Sequence, residues 1–89
     1  MKASKNYIVR EIVGEYILVP VGPAAMKFNG LFTVNEVGGF IFNALQEEQT
    51  EESLISKIRE EYEVDEETAR KDLNDFLDKL RQYDALEEA

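Results

Sequence analysis

The apolar residues of this chain change their period once, and that change limits the fold more than any other feature. Through residues 7–34 they alternate as in strands, in the runs Tyr7 to Val13, Glu15 to Val21 and Phe28 to Val34. From Asn35 onward they recur every three or four positions, as on helix faces. The order predicts an α+β, winged-helix-like fold: three N-terminal β-strands followed by three α-helices. It supplies a sheet with an edge and a helix to lie beside it.

Within the first strand, Tyr7, Val9, Glu11 and Val13 fall on one face, and Ile8, Arg10 and Ile12 on the other. Gly14-Glu15 reads as the turn into the second strand. The run Tyr16-Ile-Leu-Val19 is apolar throughout, which suits a central strand, and Pro20 should end it. Val21 to Ala25, with two breakers, reads as a loop, and Met26 to Val34 as the third strand. Asn29-Gly30 interrupts that strand and has two readings: a turn or bulge, or a place where another backbone approaches closely.

Asn35 is suited to cap a helix running to about Gln46, with Val37, Phe40, Ile41, Ala44 and Leu45 as its apolar stripe. Gly38-Gly39 inside it costs about 1 kcal/mol per glycine relative to alanine, so close packing is expected there. Thr50 and Asp65 cap the next two helices, each followed by two glutamates in the first turn. Leu54, Ile55, Ile58 and Tyr62 line the second helix; Ala69, Leu73, Phe76, Leu77, Leu80 and Tyr83 line the third. Leu86 is placed to return to the core as a short terminal strand. The expected organisation is one domain over residues 1–89, with residues 1–6 a flexible tail.

A chain of 89 residues buries only roughly 60–65% of its extended surface, too little for a deep enclosed substrate cavity. No apolar run opens the chain and none approaches the ~20 residues that span a bilayer, so neither a signal peptide nor a membrane segment is expected. Cysteine is absent, which suits the cytoplasm. The net charge of −9 is uneven: residues 1–46 carry four basic and three acidic side chains, residues 47–89 six and sixteen. Such a helical half repels nucleic acid and anionic lipid. It is either a solubilising face or a docking surface for a basic partner.

Histidine is also absent, so imidazole and thiolate chemistry are excluded and an ordinary zinc site is not expected. Ser4, Ser53 and Ser56 lie in no nucleophile elbow, and Gly38-Gly39 lacks the Lys-Ser/Thr of a phosphate loop. Carboxylates such as Glu60, Glu61, Asp72 and Asp75 fall on polar helix positions and read as solvated surface. No cofactor and no catalysis are expected.

Three local signatures resemble the PqqD family of peptide chaperones and related precursor-peptide recognition elements. The first is Leu31-Phe-Thr-Val-Asn-Glu-Val-Gly-Gly-Phe-Ile-Phe42, a strand leading into an Asn-started helix with small residues and then an aromatic. The second is Thr50, Leu54 and Ile58; the third is Ala69, Asp72, Phe76, Leu77 and Leu80. The resemblance runs from about Tyr7 to Leu86. The chain departs from it at Phe42, where the family often has Trp, and at Asp84-Ala85-Leu86, where it usually places Gly before the closing apolar pair.

The resemblance implies a free-standing, non-catalytic module that binds the leader of a ribosomally made precursor peptide. The leader adds as a strand to the third strand's edge, packs on the third helix, and is presented to a radical SAM or other peptide-modifying enzyme. On this sequence that surface is expected at Lys27, Phe28, Asn29, Gly30, Leu31, Phe32 and Thr33, with Arg70, Leu73, Asn74, Leu77 and Arg81 on the helix. Four of these five helix residues have a second reading: Leu73 and Leu77 as core, Arg70 and Arg81 as surface charge. Two rivals use the same fold. A homodimer would pair the strand edge with its own copy. A DNA-binding winged helix needs a basic third helix, whereas residues 65–83 hold six acids and four bases.

Overall fold

Ile12 and Glu15 face each other across a two-residue turn, Val13-Gly14, whose φ angles are both positive at 50° and 79°. Two positive values give the turn whose twist matches a right-handed hairpin. The turn therefore begins one residue earlier than the sequence suggests, and Val13, 97% exposed, sits at its tip. The hairpin belongs to a computed structural model that describes residues 1–27 and 32–88.

In chain order the elements are β1 (Lys2–Ala3), β2 (Tyr7–Ile12), β3 (Glu15–Pro20), α1 (Pro23–Lys27), β4 (Phe32–Val34), α2 (Glu36–Ala44), α3 (Glu51–Glu61), α4 (Glu66–Gln82) and β5 (Leu86–Glu87). Strands β2, β3 and β4 form an antiparallel sheet in that order, with β3 central as its apolar run requires. The register pairs Tyr16 with Val34, Ile17 with Thr33 and Leu18 with Phe32. One sheet face, with Tyr7, Val9, Leu18, Phe32 and Val34, packs against the helices; Ile8 and Ile12 point outward and are exposed.

Two expectations change, and a third goes untested. The third strand does not begin at Met26: Pro23 opens a short helix that holds Met26 and Lys27, as proline's fixed φ permits at a first helical position. The Asn29-Gly30 interruption lies outside the described residues. Residues 1–6 are no free tail, because β1 pairs with β5 and Ala3 is buried. The Met1 amino group also donates to Glu48 Oε1 and to the Gln49 carbonyl, both at 2.7 Å.

The three long helices begin at the expected caps. Asn35 Oδ1 accepts from the Gly38 N–H, Thr50 Oγ1 from Ser53 and Asp65 Oδ1 from Thr68. The bond from the Thr68 N–H holds the Asp65 carboxyl below its usual range. At the other end of α4, the Ala85 N–H reaches the Leu80 carbonyl and the Asp84 N–H the Arg81 carbonyl, a Schellman closure. Asp84 takes the left-handed position, φ 58°. Glycine fits that position without strain, which accounts for the family's Gly where this chain has Asp84.

The glycine pair has the packing role expected of it. A Cβ on Gly39 would run into the Tyr16 ring of β3, and one on Gly38 would stand 2.9 Å from Phe76 Cε1 of α4. Helix α2 is thereby wedged between sheet and α4. Around it Leu18, Ile41, Phe42, Leu45, Leu54, Ile58, Leu73, Leu77 and Leu80 are fully buried. Each such side chain contributes on the order of 1.5–3 kcal/mol relative to exposure. Among the described residues no helix is long and apolar enough to cross a membrane.

Candidate functional site

Among the described residues, strand β4 has a strand partner, β3, on one side only. Its far edge faces α4 across a groove of about 260 Å³, lined by Val34, Asn35, Val37, Gly38, Ile41, Asp72, Asp75, Phe76 and Lys79. Gly38 matters here, because the missing Cβ leaves room for the Phe76 ring to form the floor.

The groove exists because α4 has two flanks with different neighbours. At 3.6 residues per turn, Ala69, Leu73, Phe76, Leu77 and Leu80 form a central arc aimed at the core. Asp72, Asp75 and Lys79 lie on one side of that arc and face β4. Arg70 and Asn74 lie on the other and face α3. Along the groove α4 runs opposite to β4. Lys79 and Tyr83 stand beside Phe32, while Phe76 stands beside Gly38 and Val34.

The Phe32 end is closely packed. Its ring stacks on Tyr83 with centroids 4.4 Å apart, and Lys79 Nζ lies 5.3 Å from the same ring. Lys79 Nζ also donates to the Thr33 carbonyl at 3.2 Å. That contact turns the Thr33 carbonyl toward the groove. In an extended strand the N–H of the same residue points the same way. Behind this end the buried Tyr7 hydroxyl donates to the Tyr83 carbonyl at 2.8 Å, and burial pushes the phenol's pKa up.

The residues expected to bind divide sharply. Phe32 and Thr33 lie on the open edge. Lys27 ends α1, and Phe28, Asn29, Gly30 and Leu31 lie outside the described residues. Leu73 and Leu77 are core, 0% and 1% exposed, in line with their second reading. Arg70 bonds Glu51 and Glu52 at 3.1 Å and Glu66 at 3.4 Å, and the Glu52 hydrogen bond leads in raising its pKa. Asn74 donates to Glu51 and to the Arg70 carbonyl. Arg81 is held by Glu88 and Asp78 near the C-terminal strand. These three occupy the flank away from β4.

Asp72, Asp75, Phe76 and Lys79 line the groove and are absent from the expected set. A signal was there: Asp72, Asp75 and Lys79 share one flank of the helical wheel. Periodicity does not say which flank meets the sheet. What the groove offers chemically is a row of backbone groups above an aromatic floor, with a charged wall opposite.

Of the two outer edges of the sheet, β2 and β4, that of β4 borders the helix-walled groove. Residues 14–86 match the model of the family described as coenzyme PQQ synthesis protein D (PqqD). The chain belongs to that family. Among solved structures, it is similar to TbiB1 in complex with the TbiA(beta) leader peptide, at 30% identity and a TM-score of 0.78. That match covers 100% of this chain and 98% of the other. It also shares its fold with a lasso peptide synthetase B1 complexed with the leader peptide, at 16% identity and a TM-score of 0.70. That second match covers 91% of this chain and 89% of the other. No curated protein matches the chain.

Proposed function

We propose that this protein is a non-catalytic, cytoplasmic module that binds the leader segment of a ribosomally made precursor peptide. The leader adds as a strand to β4, and the module presents the peptide to a modifying enzyme, of the radical SAM type or another. One observation carries the reading: the unpaired edge of β4 lies over a groove floored by Phe76. It is supported by 30% identity, over the whole chain, to a protein solved with its leader peptide.

Strand addition takes its affinity from backbone hydrogen bonds and its specificity from side-chain contacts. Thr33 is the residue of β4 whose backbone groups meet the incoming strand. Each bond formed there contributes about 1 kcal/mol net, so the groove has to supply the remainder. Val34, Ile41 and Phe76 offer the apolar contact for one leader side chain. The reading keeps Phe32 and Thr33 from the expected set. It moves the helix contacts from Arg70, Asn74 and Arg81 to Asp72, Asp75, Phe76 and Lys79.

An amide chemical-shift titration with leader peptides encoded beside the gene tests this. Saturable shifts are expected at Thr33, Val34, Asp72, Asp75, Phe76 and Lys79. An absence of saturable shifts with every such peptide would overturn the reading. Shifts confined to Arg70 and Asn74 would transfer the site to the opposite flank.

A further inference from the structure

This inference rests on the reading that β4 receives an extended peptide, and it concerns which peptides the groove accepts. The groove has an electrostatic direction. At the end formed by Val34, Asn35 and Gly38, the charged wall residues are Asp72 and Asp75. Asp75 shares only an exposed contact with Lys71, 3.4 Å long, and Asp72 has no hydrogen-bond or ion-pair partner among the described residues. The positive end of α2 opens toward the same mouth. Asn35 already caps it, and the Glu36 carboxylate lies in its first turn. At the other end the wall's cation is Lys79, held on the Thr33 carbonyl and over the Phe32 ring.

The spacing suits a peptide strand. Asp72 and Lys79 are seven residues apart on α4, about 10 Å along the axis. An extended chain covers that in about three residues, and alternate residues face the same side. Leader side chains two or four positions apart therefore look toward opposite ends of the wall. An acidic side chain above Asp72 and Asp75 meets like charge, whereas a lysine or arginine reaches both carboxylates from above the apolar floor.

We propose that the groove selects leader segments carrying a lysine or arginine opposite Asp72 and Asp75. Asp72 and Asp75 are the specificity-determining pair, and an acidic leader residue is tolerated only toward Lys79. This reverses the expectation that arginines on this helix read an acidic leader, since Arg70 and Arg81 already hold carboxylates of their own chain.

The test is panning of a displayed library of random linear peptides against the full chain, at low and at high salt. Peptides recovered by the wild type should share a Lys or Arg at one register position. That enrichment should fade at high salt, as exposed charge pairs are screened. The Asp72→Asn/Asp75→Asn variant should lose the preference and bind a synthetic basic consensus peptide about three- to tenfold more weakly. The Asp72→Lys/Asp75→Lys variant should reverse it toward Asp or Glu. Both sites are exposed on the helix, so circular dichroism should show both variants folded.

Recovery of peptides with no basic preference, or a preference unchanged in the Asn variant, would overturn the specificity claim and leave strand addition standing. Recovery of no peptide by folded wild type would overturn the peptide-binding reading, and the specificity claim with it.

Discussion

The two flanks of α4 are made of similar residue types and do opposite things. On the α3 side, charges meet charges of their own chain: Arg70 bridges Glu51, Glu52 and Glu66, and Asn74 joins the same cluster. That flank is closed. Among the described residues on the β4 side, Asp72 has no hydrogen-bond or ion-pair partner, Asp75 only an exposed one, and Lys79 leans on a strand carbonyl. That flank is open. A helix residue is thus available to a ligand according to the neighbour its flank faces, and hardly according to its chemical type.

Four substitutions test this contrast, taken from the largest expected effect to the smallest. Phe76, 9% exposed, is shared by core and groove. Phe76→Ala should cost about 3 kcal/mol of stability in a denaturant titration. Leader peptides should also bind the remaining folded fraction at least about tenfold more weakly, a loss on the order of 1.4 kcal/mol. Unaltered affinity would show that the floor of the groove is not where the peptide packs.

Thr50 belongs to the closed side, where its hydroxyl and Ser53 form a reciprocal cap on α3. Thr50→Ala should lower stability by about 1 kcal/mol and leave peptide affinity alone. A change in affinity would mean that the flanks are coupled through α4. Asp84 lies at the shared end of the helix, and Asp84→Gly should raise stability by about 0.5–1 kcal/mol, because glycine takes a positive φ freely. A fall in melting temperature would indicate that the Asp84 side chain contributes more than its backbone conformation costs. Smallest of all, Arg70→Gln should change leader affinity by no more than about twofold, measured by fluorescence anisotropy. A larger loss would return the site to the flank first expected.

Much of the fold was legible because its signals are local. Asn35, Thr50 and Asp65 each carry a short side chain that bonds an N–H three residues on, and each begins its helix where the sequence places it. The glycine pair announced close packing by its cost alone, though only the coordinates name Tyr16 and Phe76 as the neighbours. The pairing of Ala3 with Leu86 was not legible, since it joins residues at opposite ends of the chain and is two residues long on each side. Pro23 is ambiguous in sequence, since the ring that breaks a strand also suits the first turn of a helix.

The candidate groove was half legible, for a related reason. Periodicity locates the arc of α4 that is buried, and it does so correctly for Ala69, Leu73, Phe76, Leu77 and Leu80. An arc has two borders, and a helical wheel treats them alike. Only the order of the layers, with β4 on one side and α3 on the other, decides that Asp72 faces a groove while Arg70 faces glutamates. Charge pattern pointed to Arg70 and Arg81 as conspicuous cations in an acidic half, but their conspicuousness reflects the acids that hold them.

The Lys79 bond to the Thr33 carbonyl has a consequence for the protein while it waits for a client. An unpaired strand is a template for further copies of itself, and proteins commonly blunt such edges with lysine. Here the ammonium occupies the carbonyl that a second copy would need, and the Asp72 and Asp75 wall of each molecule would confront the same acids in the other. The residues that shape the groove therefore also make the β4 edge a poor template for a second copy of the chain.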